Sequence, residues 1–172
     1  MESVFLLTGR PGIGKTTVIR KTLLLIPLKA GGFYTEEIRE NGIRKGFRLI
    51  TLDHRETIIA HVDFHGPCRV GKYSVNIQNL ENTGVDALKK SLNNDELIII
   101  DEIGKMELFS RAFRSAVLEA VARNGKVLGT IMSKPNDFAD RIKKLPNVKI
   151  METNLANRDK LPEELARLLL SK

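Results

Sequence analysis

Gly9-Arg10-Pro11-Gly12-Ile13-Gly14-Lys15-Thr16, near the start of the chain, is the stretch that decides the fold. Its pattern, G-x-x-x-x-G-K-S/T, has a physical cause. A loop of small residues curls round an anion so that successive backbone N–H groups point inward at phosphate oxygens. The expected donors are the amides of Gly12, Ile13, Gly14, Lys15 and Thr16. Pro11 has no N–H and fixes its own φ, so it stiffens the approach to the loop rather than binding anything. Lys15 is expected to reach the β- and γ-phosphates, and the Thr16 hydroxyl to bind Mg²⁺. Arg10 and Thr17 flank these groups and complete the nucleotide-contacting run Gly9 to Thr17.

The surroundings suit this reading. Ser3-Val4-Phe5-Leu6-Leu7-Thr8 is a short apolar run of buried-strand type directly before the loop, and Thr17-Val18-Ile19-Arg20-Lys21-Thr22-Leu23-Leu24 continues as a helix after it. That helix adds the positive end of its dipole to the anion site.

Length and composition narrow the class. With 172 residues, 42% hydrophobic and 28% charged, the chain is long enough to bury one full core, so residues 1–172 are expected to form a single domain. No stretch approaches the roughly 18 apolar residues of a membrane span, and the N-terminal strand is too short and wrongly flanked for a signal peptide. A cytoplasmic protein is expected. One cysteine, Cys68, cannot make an internal disulfide and fits a reducing compartment. The net charge of +7 raises a nucleic-acid partner, but basic residues are scattered, aromatics are 5% of the chain, and no motif of the familiar DNA or RNA readers occurs.

After the first helix, which Pro27 stops near Leu25, two strand-like runs flank Asn41-Gly42, a hairpin signal. They run from Gly31 to Arg39 and from Ile43 to Leu52. A third strand follows over Glu56 to Val62, with weaker strand signals near Val70 and around Tyr73 to Ile77. The spacing His61-x-Asp63-x-His65 puts three potential metal ligands on one face of a strand; it equally fits the solvated face of an edge strand. Farther on, helices are expected over Val85 to Leu92, Ser110 to Arg123 with Gly125 ending it, Asp137 to Lys144 and Asp159 to Leu170. Strands are expected over Lys126 to Met132 and Asn147 to Glu152.

The second informative element is Leu97-Ile98-Ile99-Ile100-Asp101-Glu102. Four apolar residues make a strand buried on both faces, as in a parallel sheet, and the acidic pair emerges at its carboxyl end. Ligands of such sheets bind at that end. Asp101 is expected to hold Mg²⁺ opposite Thr16, and Glu102 to polarise a water for attack on the γ-phosphate. Thr130 and Ser133 are candidates for hydrogen bonds near the site, Lys105 for a second cation, and Glu36, Glu37 and Arg39 for groups facing the γ-phosphate.

Taken together, Gly9 to Thr17, Gly32-Phe33-Tyr34-Thr35-Glu36-Glu37, the run Ile99-Ile100-Asp101-Glu102-Ile103-Gly104-Lys105-Met106-Glu107-Leu108-Phe109-Ser110, and Asn157-Arg158-Asp159 resemble, in that order, the small nucleoside-triphosphatase family known from thermophiles and as the cancer-related nucleoside-triphosphatase. The resemblance covers nearly the whole chain. It implies an α/β fold of three layers: a phosphate-loop domain of RecA-like type, with a mainly parallel central sheet, an additional strand, a catalytic glutamate and the antiparallel β excursion. It also implies Mg²⁺-dependent hydrolysis of ATP, GTP, CTP and UTP to the diphosphate and phosphate, with loose base preference. Carried over by position, the nucleotide would contact Gly9 to Thr17 and Ile98, Ile99, Ile100, Asp101, Glu102, Ile103, Gly104 and Lys105. Glu102 and Lys15 would be catalytic, and Thr16 and Asp101 would hold the metal.

Two other readings use the same loop. A nucleotide or small-molecule kinase would need an acceptor pocket, which the excursion from Phe33 to Ile77 could supply, and a nucleotide-dependent RNA-binding module would use hydrolysis as a timer. An arginine finger is not identifiable among Arg10, Arg111, Arg114, Arg141 and Arg158; one supplied by a second subunit would make hydrolysis depend on protein concentration. The chain is expected to be a monomer or weak oligomer.

Overall fold

The computed structural model describes residues 2–171. The run before the loop forms β1 (Val4–Thr8), and the helix after it is α1 (Lys15–Leu25). The excursion supplies β2 (Ala30–Glu40), β3 (Ile43–Thr51), β4 (Glu56–His61), β5 (Arg69–Val70) and β6 (Tyr73–Val75). A short helix, α2 (Ile77–Asn79), passes through a π-helical segment at Leu80–Val85 into α3 (Asp86–Asn94). Then come β7 (Leu97–Ile103), a 3₁₀ turn at Glu107–Phe109, α4 (Arg111–Ala122), β8 (Lys126–Ile131), α5 (Asp137–Lys143), β9 (Val148–Glu152) and α6 (Leu161–Leu170).

Among the described residues, all nine strands join one sheet, in the order β5-β6-β4-β3-β2-β7-β8-β1-β9. From β2 to β9 every pairing is parallel, and from β2 to β5 every pairing is antiparallel. The excursion therefore extends the sheet, with β2 as the junction. Asn41 and Gly42 turn the β2–β3 hairpin at φ 49° and 77°, the paired positive values of a type I′ turn. Strand β8 lies between β1, which carries the phosphate loop, and β7, which carries the acidic pair. That is the additional strand the resemblance implies.

Alternation along the strands builds a large core on each face of the sheet, with a small third cluster of Ala60, Tyr73 and Val75 in the extension. Leu6, Ile98 and Ile100 join Phe33, Leu88, Phe113, Val117 and Ile142 on the face covered by α3, α4 and α5. Phe5, Leu7 and Ile99 face the other way, onto Val18 and Ile19 of α1 and Leu165 and Leu169 of α6. This is the three-layer α/β arrangement.

Most element limits agree with the sequence reading, with two corrections. Helix α4 is capped by Ser110, whose hydroxyl accepts from the Phe113 N–H at 3.0 Å, but Gly125 does not end it. Arg123 does: it turns extended, and its guanidinium donates to the carbonyls of Ser91, Leu92 and Asp95. Helix α6 starts at Leu161 rather than Asp159, because Asn154 and Asn157 use their side chains to fold the preceding segment into a turn.

Candidate active site

The loop between β1 and α1 has the backbone its sequence demands. Gly9 has φ 148°, and a Cβ there would stand 2.6 Å from the Thr153 carbonyl oxygen, so a side chain would collide with the chain leaving β9. Gly14, at φ 106°, turns the chain into α1, where the Val18 N–H donates to its carbonyl at 2.9 Å. Ile13 is 3% exposed and pins the loop to the domain, while Pro11 and Gly12 stand out in solvent. The Lys15 ammonium spans the loop, donating to the carbonyls of Gly9 at 2.7 Å and Arg10 at 3.1 Å.

Asp101 sits at the carboxyl end of β7, 3% exposed. Thr16 Oγ1 donates to its Oδ2 at 2.5 Å, and Thr130 Oγ1 of β8 donates to its Oδ1 at 2.6 Å. The hydroxyl of the phosphate loop and the carboxylate of the second motif thus meet directly. Burial pushes the Asp101 carboxyl up; hydrogen bonds from Thr130 and Thr16, the Lys15 charge and the Thr35 backbone N–H of β2 pull against it. Hydroxyl and carboxylate oxygens are hard donors of the kind Mg²⁺ takes, usually with one or two carboxylates and the rest from phosphate and water.

Glu102, joined to Asp101 by a cis peptide, is mostly buried. Burial and the Asp101 charge push its carboxyl up, and Lys15 opposes them. The ladder between β7 and β8 shifts register between Ile100 and Ile103, so this acidic pair lies where regular pairing is interrupted.

A third acid, Glu107, is 4% exposed in the turn that follows. Burial, then the charges of Glu102 and Asp101, hold its carboxyl well above the usual carboxylate range, against backbone N–H groups of Glu107 and Gly104. Sequence reading missed it. Glu107 stands among packing residues, and a lone acid there reads as exposed; its one signal is its place in the Asp101-to-Ser110 run.

Other candidates are distributed differently. Ile98, Ile99, Ile100 and Ile103 are 0% exposed, so they carry the acidic pair into position and offer no surface to a ligand. Gly104 is buried and Lys105 exposed. Ser133 is exposed and is not among the partners of Asp101. Glu36 is held by Arg20 and Arg48, and Glu37 by Arg39 and Arg44, which takes all three of the β2 candidates into surface ion pairs. Arg10, Arg111 and Arg141 are exposed, and Arg114 donates to the Leu108 carbonyl at 2.5 Å.

His61 accepts from the Asp63 N–H, and His65 is exposed; among the described residues no three His, Cys, Asp or Glu converge on a metal position. A cavity of 590 Å³ opens there, lined by Phe64, His65, Pro67, Cys68 and Ile77. It lies at the antiparallel end of the sheet, away from the phosphate loop, and holds neither a lysine nor an arginine. No helix among the described residues is long and apolar enough to cross a membrane.

The comparisons agree with this geometry. A family profile described as NTPase matches residues 4–166. Nucleoside-triphosphatase THEP1 of Thermotoga sp. (strain RQ2) is 49% identical over 164 residues, which span 95% of this chain and 94% of that protein. The crystal structure of THEP1 from Aquifex aeolicus superposes with a TM-score of 0.89 at 35% identity, over 98% of this chain and 99% of the other. The solution structure of a human cancer-related nucleoside triphosphatase does so with a TM-score of 0.83, also at 35% identity, over 100% and 99%. The chain belongs to the NTPase family of phosphate-loop proteins.

Proposed function

We propose that this chain is an Mg²⁺-dependent nucleoside-triphosphate phosphohydrolase that cleaves ATP, GTP, CTP and UTP to the diphosphate and phosphate. The observation that carries the reading is the contact of Thr16 and Asp101 beside a mostly buried Glu102. The loop amides from Gly12 to Thr16, with the Lys15 ammonium, bind the phosphate chain and offset charge that builds on the transferred group. Glu102 accepts a proton from, and orients, the attacking water; Asp101 is kept in register by Thr130. Thr16 and Asp101 would hold Mg²⁺, which would supply positive charge to offset that of the phosphates. The whole of residues 1–172 works as one domain, in the cytoplasm, as a monomer or weak oligomer.

Of the groups on β2 that could hold a kinase's acceptor, Glu36 and Glu37 are already paired. The test is phosphate release from each of the four triphosphates with Mg²⁺ and no acceptor, for the parent and Lys15→Ala. Release from all four, lost in Lys15→Ala, supports the reading. Phosphate that appears only with an added acceptor alcohol or nucleotide overturns it.

A further inference from the structure

A second cleft adjoins the phosphate loop on the side away from the acidic pair. It is lined by Ile13 and Gly14 of the loop, Thr17, Val18 and Lys21 of α1, and Arg158 and Asp159 of the segment after β9. In the sheet order β7-β8-β1-β9, the carboxylates stand at the end of β7, the loop rises from β1, and Arg158 follows β9. A triphosphate lying along the loop with its γ end toward Glu102 therefore leaves its nucleoside on the Arg158 side. The cleft holds 210 Å³, below the roughly 300–1,000 Å³ of sites that enclose a whole drug-sized ligand. It suits one end of a molecule whose phosphates are bound elsewhere.

Arg158 is built into this lining rather than waving in solvent. Its Nη1 donates to the carbonyl of Ile13, another lining residue, at 3.2 Å. Its backbone N–H donates to Asn154, whose side chain accepts from the N–H groups of Ala156 and Asn157, and the Asn157 amide donates to the Glu152 carbonyl at 2.7 Å. The segment is thus tied to both the end of β9 and the phosphate loop.

We infer that this cleft is the nucleobase site and that the Arg158 guanidinium is the face on which the base stacks, an inference that rests on the nucleotide reading above. A guanidinium plane stacks on any base, because every base has a π face. Strong discrimination requires buried polar groups that a wrong ligand leaves unpaired. Here the groups able to read a base edge are Thr17, Lys21 and Asp159, all exposed. The geometry therefore gives one shared contribution to every base and little preference among them.

The test is equilibrium binding, with Mg²⁺, of ADP, GDP, CDP, UDP and inorganic tripolyphosphate to the whole chain, as the parent, Arg158→Ala and Arg158→Lys. Arg158→Ala should weaken all four diphosphates by a similar factor, about five- to 150-fold for loss of one stacking contact. Tripolyphosphate should bind as in the parent, which also reports that the loop has kept its shape. Arg158→Lys should recover only part of the loss, and in turnover KM should rise with kcat unchanged. The inference is overturned if Arg158→Ala binds the diphosphates like the parent. It is also overturned if Arg158→Ala loses tripolyphosphate by the same factor, or lowers kcat instead, as a group on the γ-phosphate would. A parent that binds tripolyphosphate but gains nothing from the nucleoside removes the base site alone; a parent that binds none of these ligands removes the nucleotide reading with it.

Discussion

The parallel half of the sheet and its antiparallel extension handle charge in opposite ways. Glu36 and Glu37 of β2 meet Arg39, Arg44 and Arg48 of β2 and β3 and Arg20 of α1 in half-exposed pairs, and each acid is matched by two cations. At the end of β7, Asp101 and Glu107 are buried with the partly buried Glu102 beside them, and among the described residues none of the three is in an ion pair; Lys15 is the cation acting on the first two. Matched pairs in solvent are nearly neutral in energy. Unmatched buried acids cost stability until a cation arrives. The extension shapes the sheet, and the parallel half stores an imbalance suited to a cationic or cation-carrying ligand.

The largest test of this contrast is Glu102→Gln. Removing the general base should lower kcat by about 10²–10⁴-fold while nucleotide still binds, as steady-state turnover and equilibrium binding would report. An active Glu102→Gln would break the contrast at its centre.

Thr130→Val comes next. It leaves the shape of β8 intact but strips Asp101 Oδ1 of its donor. Leaving a buried acceptor unpaired costs about 1–3 kcal/mol. At about 2–4 °C per kcal/mol for a domain of this size, thermal unfolding should show a clear drop in Tm.

Glu107→Gln should act in the other direction. Burial and the neighbouring carboxylates favour the protonated form in the fold, so the folded chain holds this proton more tightly than the unfolded chain does. The parent therefore loses stability relative to the variant as pH rises through the raised folded value, and the two converge at acid pH below the unfolded value. Melting curves at several pH values should show the variant more stable at mildly alkaline pH and level with the parent in acid.

The smallest effect belongs to the extension. Burial raises the Glu37 carboxyl but is outweighed by hydrogen bonds and charge from Arg44 and Arg39, which leave it lowered. Because the group is about a third exposed, Glu37→Gln should cost no more than about 1 kcal/mol, less at high salt, with phosphate release unchanged. A loss of turnover there would give the antiparallel half a part in the chemistry.

How much of this was legible in the sequence follows from which interactions are local. The phosphate loop is read from its own eight residues, because glycine backbone and a helix start define it without help from elsewhere. Ile98, Ile99 and Ile100 announce a strand buried on both faces, and Asn41-Gly42 a hairpin. The π-helical segment at Leu80–Val85 was not legible from local sequence; its Leu80 and Val85 are buried in the same cluster as Leu49 and Ile59 of the extension, which lie far from it in sequence. Neither was the end of α4, fixed by Arg123 reaching three carbonyls around the end of α3. Glu107 looks like a surface acid until the turn buries it, and Glu36 and Glu37 look free until β3 brings their arginines. The sequence singles out Arg158 through Asn157-Arg158-Asp159 as a residue able to stack on a base or ribose, against the solvated role usual for an arginine at a helix start, and only the fold brings it to the Ile13 carbonyl across 145 residues.

The central claim is that water, positioned by Glu102, attacks the γ-phosphate. The most direct measurement is hydrolysis of ATP with Mg²⁺ in water enriched in a heavy oxygen isotope, followed by mass analysis of both products. Hydrolysis by attack of water at the γ-phosphate gives one labelled oxygen in inorganic phosphate, none in ADP, and loss of labelled phosphate in Glu102→Gln. Label in ADP, or a Glu102→Gln variant that forms labelled phosphate as fast as the parent, would contradict it.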